Sequence, residues 1–149
     1  MKKKILILGS NSFSGNHLVH YLLKKNFFIL GCSLSKMSEP KFNSLHQLPN
    51  YMLKNYKFEK ININKQFFKL EKLIIKYKPK IIIDFLGQGM VEESWYYPFL
   101  TFNTNIMSKI KLYTYLSEQK YLKKYIKIST SEVFGSSKIT SSNFKNYNP

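Results

Sequence analysis

An α/β domain is the fold class this chain predicts: a parallel sheet of about five strands, order 3-2-1-4-5, with helices on both faces. Three observations predict it. Strand-like and helix-like patterns alternate from end to end. The main strand candidates are continuous apolar runs, as strands buried on both faces require. Each stretch that carries polar chemistry follows directly after a strand, the end at which open parallel sheets hold their ligands.

The first strand, Lys4–Leu8, runs into Gly9-Ser-Asn-Ser-Phe-Ser-Gly15 and a helix from about Ser14 to Lys25. Gly9 permits a tight turn. Gly15 lets the helix approach a pyrophosphate or pack closely on the strand, while the helix N-terminus offers unpaired N–H groups and a partial positive charge. Gly9, Ser12, Phe13, Ser14 and Gly15 are therefore candidate dinucleotide contacts. Ser12 stands where a further glycine is usual, and its hydroxyl can bond a phosphate oxygen. A structural role is also open to Ser12 and Ser14, as turn residues with Ser14 capping the helix that carries Leu18, Val19, Leu22 and Leu23.

The second strand is Phe27–Cys32. Roughly twenty residues beyond Gly15, where a carboxylate would bond the adenosine ribose, stand Ser33, Leu34, Ser35 and Lys36. Two hydroxyls and an ammonium accept a 2′-phosphate that a carboxylate would repel, which tilts the expected cofactor from NAD towards NADP. Residues 35–50 carry Pro40, Pro49, serines and asparagines and read as a loop with a short helical turn. A third strand near Tyr56–Phe58 leads to Asn62 and Ile63. These could meet an adenine edge and face, or Ile63 could be core while Asn64 caps the next helix. That helix has Phe67, Leu70, Ile74 and Tyr77 at helical spacing and is ended by Pro79.

The fourth strand, Lys80–Leu86, contains Asp84, a carboxylate that needs a partner if buried and reads as a structural hydrogen-bonding residue. Leu86-Gly87-Gln88-Gly89 follows, where two glycines allow close approach of backbone to a cofactor. A long helix is expected over Ser94–Ser117, with Phe99, Phe102, Ile106, Ile110, Tyr113 and Leu116 as its buried stripe. After the fifth strand, Tyr125–Ser129, come Thr130, Ser131 and Glu132. Their hydroxyls and carboxylate suit substrate polarisation and proton transfer, or equally a polar turn.

Composition narrows the function classes. The 149 residues make one domain with a real core. A net charge of +16 suggests nucleic acid, but all 24 basic residues are lysine, scattered along the chain as at Lys24, Lys54, Lys76, Lys109 and Lys138. Arginine, the residue of bidentate base and phosphate recognition, is missing, so no nucleic-acid partner is expected. One cysteine, Cys32, fits a reducing compartment and a small core residue. No apolar run reaches the ~20 residues of a membrane span, and the run after Lys2–Lys4 is too short for a secretory leader, so a cytoplasmic enzyme is expected. His17, His20 and His46 lack acidic or cysteine partners, so no metal site is expected.

Four segments together resemble the extended short-chain dehydrogenase/reductase family, in particular its NAD(P)-dependent nucleotide-sugar epimerases and 4,6-dehydratases of the dTDP-glucose and GDP-mannose type. They are Gly9–Gly15, Leu86-Gly-Gln-Gly-Met-Val-Glu-Glu-Ser-Trp-Tyr-Tyr-Pro98, Thr104-Asn105-Ile106, and Ser129-Thr-Ser-Glu-Val-Phe-Gly135. The resemblance implies a Rossmann fold of three layers, with Leu86, Gly87, Gln88, Asn105 and Ser129 added to the cofactor contacts. It also implies a nucleotide-sugar substrate and a homodimer as the full-length protein. Thr130 matches the hydroxyl that bonds the sugar C4 oxygen, and Glu132 the base that removes the C5 proton. Ser131 stands where the glucose-type dehydratases carry an aspartic acid for the leaving hydroxyl.

The family's Tyr-x-x-x-Lys pair does not follow the Thr130 segment. The two matches in the chain, Tyr21…Lys25 and Tyr56…Lys60, fall elsewhere in the fold. The expectation is therefore an amino-terminal part, residues 1–149, that binds cofactor without turnover of its own. The alternative is a non-catalytic NADP(H)-binding module.

Overall fold

The computed structural model describes residues 2–37 and 43–130. Among them five strands form one sheet: Lys4–Leu8 (β1), Phe28–Ser33 (β2), Tyr56–Lys60 (β3), Ile81–Asp84 (β4) and Lys124–Lys127 (β5). Every neighbouring pair is parallel and the order is β3-β2-β1-β4-β5, as expected from the alternation of elements. Leu8 pairs with both Cys32 and Asp84, so the three central strands end level and their following loops open on one edge.

Period-two alternation splits the central strand between two cores. Leu6 and Leu8 face Leu70, Leu73 and Ile74 of the helix Phe67–Tyr77 (α3; α2 is the short Asn50–Leu53) and Leu112 and Leu116 of the last helix. Ile5 and Ile7 face Val19 and Leu23 of the helix Phe13–Lys24 (α1), together with Leu45 of a 3₁₀ turn at Ser44–Gln47 and Leu48 just after it. The result is three layers, with β1 buried on both sides.

Two expected helix caps need correction. The helix α1 starts at Phe13 with Ser12, not Ser14, as its cap: Ser12 is extended, and its Oγ accepts from the Gly15 N–H at 3.1 Å. Asn64 does not cap α3; Gln66 holds that place without a side-chain capping bond, its Oε1 accepting instead from Asn62 N at 3.1 Å. The Asn64 Nδ2 instead donates to Thr104 Oγ1 at 2.8 Å.

The long helix is also not continuous. It divides into Val91–Tyr96 (α4), Pro98–Phe102 (α5), a π-helical turn Asn103–Met107 and Ser108–Ser117 (α6). Tyr97 breaks it, with φ −129° and ψ 58°, because the ring of Pro98 disfavours helical backbone at the residue before it. Of the expected buried stripe only Leu116 is in the core. Phe99 is 83% exposed, and Phe102, Ile106, Ile110 and Tyr113 are exposed too. The residues that α6 buries are Ser108, Lys109, Leu112 and Leu116.

Candidate dinucleotide site and its polar floor

The turn after β1 is built from backbone. Gly9, at φ +76°, donates its N–H to the Cys32 carbonyl at 2.7 Å, and the Ser10 N–H reaches the same oxygen at 3.2 Å. This conformation is one L side chains rarely adopt. The Gly9 carbonyl then accepts from Ser12 N at 3.0 Å and Ser12 Oγ at 2.8 Å. A Cβ on Gly15 would lie 2.4 Å from that same carbonyl oxygen, so the first turn of α1 can sit on the β1 exit only with glycine there. Ser12 is thus the pivot of the turn, while Phe13, 82% exposed, caps the outside with its ring edge against His17.

Asn11, which sequence reasoning passed over, ties this turn to the loop after β2. Its N–H donates to Ser33 Oγ at 2.9 Å, and its Nδ2 donates to the carbonyls of Ser35 at 3.1 Å and Lys36 at 2.7 Å. Ser33 is buried, with its hydroxyl oxygen engaged there, while Ser35 and Lys36 remain at the surface. Asn62 Oδ1 accepts from the N–H groups of Asn64 and Lys65, a turn that opens α3. Of the two roles left open for Ile63, the structure supplies the core one, since it is buried against the α3 side. A cavity beyond β2 and β3 is lined by Leu34, Lys60, Asn62, Lys65, Gln66 and Lys69, with no carboxylate among them.

On the other side of β1 the polar work is done by side chains. Asp84 is fully buried at the end of β4. Its Oδ1 accepts from Leu86 N at 2.7 Å; its Oδ2 accepts from Lys109 Nζ at 2.6 Å and from the Tyr125 hydroxyl. Lys127 Nζ lies 3.9 Å from the same oxygen and donates to the Leu86 carbonyl at 2.6 Å. Asp84 is structural, as expected; the buried Lys109 was not foreseen. Its signal was available, since Lys109, Leu112 and Leu116 share one helical stripe and an apolar strand holding a carboxylate needs a cation. Burial lowers the Lys109 ammonium pKa, and the Asp84 charge offsets part of that. Tyr125 is pushed well up by burial and by its bond to Asp84.

A second cavity borders this cluster. It brings together the loop Leu86–Gly89, Asn105, Lys109, Lys127, Ser129 and Thr130. Asn105 clasps the loop backbone, its Oδ1 accepting from Gln88 N at 2.7 Å and its Nδ2 donating to Gln88 O at 2.9 Å. The Gln88 side chain bonds Glu93. Ser131 and Glu132 lie outside the described residues. The candidates of the first turn, the loop after β4 and the end of β5 therefore gather along one edge of the sheet, as the level strand ends require.

A family model described as GDP-mannose 4,6 dehydratase matches residues 6–149. The chain belongs to that family. The GDP-mannose 4,6 dehydratase family is one of nucleotide-sugar dehydratases and epimerases, in line with the resemblance of the four segments. The chain is similar to the CDP-glucose 4,6-dehydratase of Salmonella typhimurium, at 23% identity over 132 residues, covering 89% of this chain and 35% of that protein. Among solved structures it is similar to the UDP-glucuronic acid 4-epimerase of Bacillus cereus, with a TM-score of 0.74, 26% identity, and 98% of this chain and 46% of that one covered. The UDP-glucose 4-epimerase of Stenotrophomonas maltophila gives a TM-score of 0.76 at 16% identity, covering 93% and 40%. The chain thus spans about a third of the curated relative's length and less than half of either solved structure.

Proposed function

We propose that residues 1–149 are the cofactor-binding domain of an NAD(P)-dependent nucleotide-sugar 4,6-dehydratase or epimerase. The observation that carries this reading is the Gly9–Gly15 turn, where helix and strand meet so closely that a Cβ on Gly15 would strike the Gly9 carbonyl. Such a junction leaves the first amides of α1 open beyond the sheet, as a pyrophosphate requires. The similar Bacillus cereus and Stenotrophomonas maltophila structures contain NAD together with UDP-linked sugars.

In this reading the α1 amides and Ser14 hold the pyrophosphate, and Ser12 keeps the turn in shape. Leu34 and Asn62 border the adenine. Ser35 and Lys36, with Lys60 and Lys65 of the carboxylate-free cavity, suit a 2′-phosphate and favour NADP over NAD. A bound nicotinamide would supply reversible hydride acceptance at the sugar C4. Thr130 holds the sugar C4 oxygen; Glu132 removes the C5 proton where elimination follows; Ser131 stands beside the leaving hydroxyl. Without a Tyr-x-x-x-Lys pair after Thr130, these residues bind cofactor but do not turn over substrate. The exposed apolar side chains Trp95, Phe99, Phe102, Ile106 and Ile110 suit pairing with a second copy, and the single buried thiol suits a cytoplasmic setting.

Calorimetric titration with NADP⁺ and NAD⁺ tests the reading: both bind, NADP⁺ more tightly. Absence of heat with either coenzyme overturns it. For a longer protein carrying this domain, a 4-keto-6-deoxy product marks a dehydratase, and simple inversion marks an epimerase.

A further inference from the structure

Two alternate residues of the loop after β4 have all their backbone hydrogen-bonding groups held by side chains. Leu86 gives its N–H to Asp84 Oδ1 and its carbonyl to Lys127 Nζ. Gln88 gives its N–H to Asn105 Oδ1 and its carbonyl to Asn105 Nδ2. Gly87 stands between them, and no hydrogen bond among the described residues engages its own N–H or carbonyl. In a trans peptide the C=O and N–H point in opposite directions. Lys127 on the Leu86 carbonyl therefore fixes where the Gly87 N–H points, and Asn105 on the Gln88 N–H fixes the Gly87 carbonyl.

The surroundings of Gly87 give an independent observation. A Cβ there would meet only Asn105 Oδ1, at an ordinary 3.6 Å, so the protein's own packing does not demand glycine. Gly87 itself lines the cavity that Lys127, Ser129 and Thr130 also border. The charge of the floor points the same way: one buried carboxylate faces two ammonium groups, leaving one positive charge in surplus beside the crevice. An anionic ligand is favoured in such a place.

We infer that Lys127 is a positioning residue: anchored by the Asp84–Lys109 pair, it sets the Gly87 peptide groups for a dinucleotide lying in the crevice. The inference rests on the dinucleotide reading above. Lys109 pairs most closely with Asp84 and repels Lys127, but Asp84 Oδ2, 3.9 Å from Lys127 Nζ, attracts it, and the 2.6 Å bond to the Leu86 carbonyl holds the head there rather than extended into water.

The test compares the full chain with Lys127→Met and Lys127→Arg, using ¹⁵N relaxation of the Gly87 amide without ligand and titration with NADP⁺ and NAD⁺. In the parent chain the Gly87 amide is rigid, with an order parameter of about 0.85; in Lys127→Met it drops below about 0.6. The dinucleotide Kd rises about tenfold in Lys127→Met, and Lys127→Arg restores most of both. Lys127 is one-third exposed, and Lys127→Gln, which keeps a short donor, serves should Lys127→Met not fold. An unchanged Gly87 order parameter overturns the inference, as does a loosened Gly87 with unchanged Kd. A parent chain that binds neither coenzyme instead sinks the dinucleotide reading, and the order parameter alone then decides whether Lys127 fixes the loop.

Discussion

The two flanks of β1 reach the same edge of the sheet by different means. Towards β2, backbone holds backbone: Gly9 and Ser10 share the Cys32 carbonyl, and the first turn of α1 rests on the Gly9 oxygen. Towards β4, side chains hold backbone: Asp84, Lys127 and Asn105 fix Leu86 and Gln88. A backbone-built turn depends on where side chains are lacking, so it tolerates few substitutions at its glycines and many elsewhere. A side-chain-built floor depends on each buried charge keeping its partner, so its paired members fail singly and can be replaced together.

That contrast breaks most sharply at Lys109. Lys109→Met leaves Asp84 buried beside one distant ammonium, and a loss of about 3–5 kcal/mol in urea unfolding is expected. The double variant Asp84→Leu with Lys109→Met should recover most of it, because removing both charges removes the desolvation cost as well. A double variant as unstable as the single one would show that the floor is not a charge balance.

On the glycine flank, Gly15→Ala forces a carbon into the Gly9 carbonyl. It should cost about 1–3 kcal/mol and abolish dinucleotide binding, read by thermal unfolding and calorimetry. A smaller step on the same flank compares two serines. Ser12→Ala removes the cap and should cost about 1 kcal/mol, while Ser14→Ala stays within about 0.5 kcal/mol. A larger loss at Ser14 than at Ser12 would return the cap to Ser14.

The smallest effect is a titration. The Tyr56 phenol, half-buried over Gly31 and donating to Ser10 Oγ at 3.4 Å, is pushed up to about 12, chiefly by its loss of solvent. Its folded value lies above its unfolded value of 10.0, so its contribution is complete below pH 10 and is lost as the pH rises towards 12. Tyr56→Phe should flatten the fall of stability over that range, and a parallel fall in both proteins would remove Tyr56 as its cause. The Cys32 thiol, likewise held up at about 12 by burial, should stay unreactive to thiol reagents at pH 8 until the chain unfolds.

The glycine flank was legible because its signals are local. Gly9 and Gly15 sit at fixed distances from an apolar strand, and each has one physical reason to be glycine. The strand order was legible too, from the alternation of elements. The polar floor was not, because Asp84 and Lys109 are 25 residues apart and meet only after α6 has packed on the sheet. The break at Tyr97 could have been read from Pro98, but the exposure of Phe99, Phe102 and Ile110 could not. An apolar stripe says that residues share a face and is silent on what covers it. Asn62 and Asn105 show a third limit: both turn their side chains to nearby backbone, a role that residue type alone does not separate from ligand contact.

The π-helical turn at Asn103–Met107 has a consequence for how insertions and deletions would be tolerated. Such a turn holds one residue more than an α-helical turn spanning the same rise, and each residue of an α-helix advances the azimuth by about 100°. Excising a single amino acid there would let the segment relax to regular winding while Lys109 keeps its bearing on Asp84. The extra residue thus works as slack, and the chain should accept a one-residue deletion in this coil more readily than in the regular turns of α6, where it would turn Leu112 and Leu116 about 100° from the core.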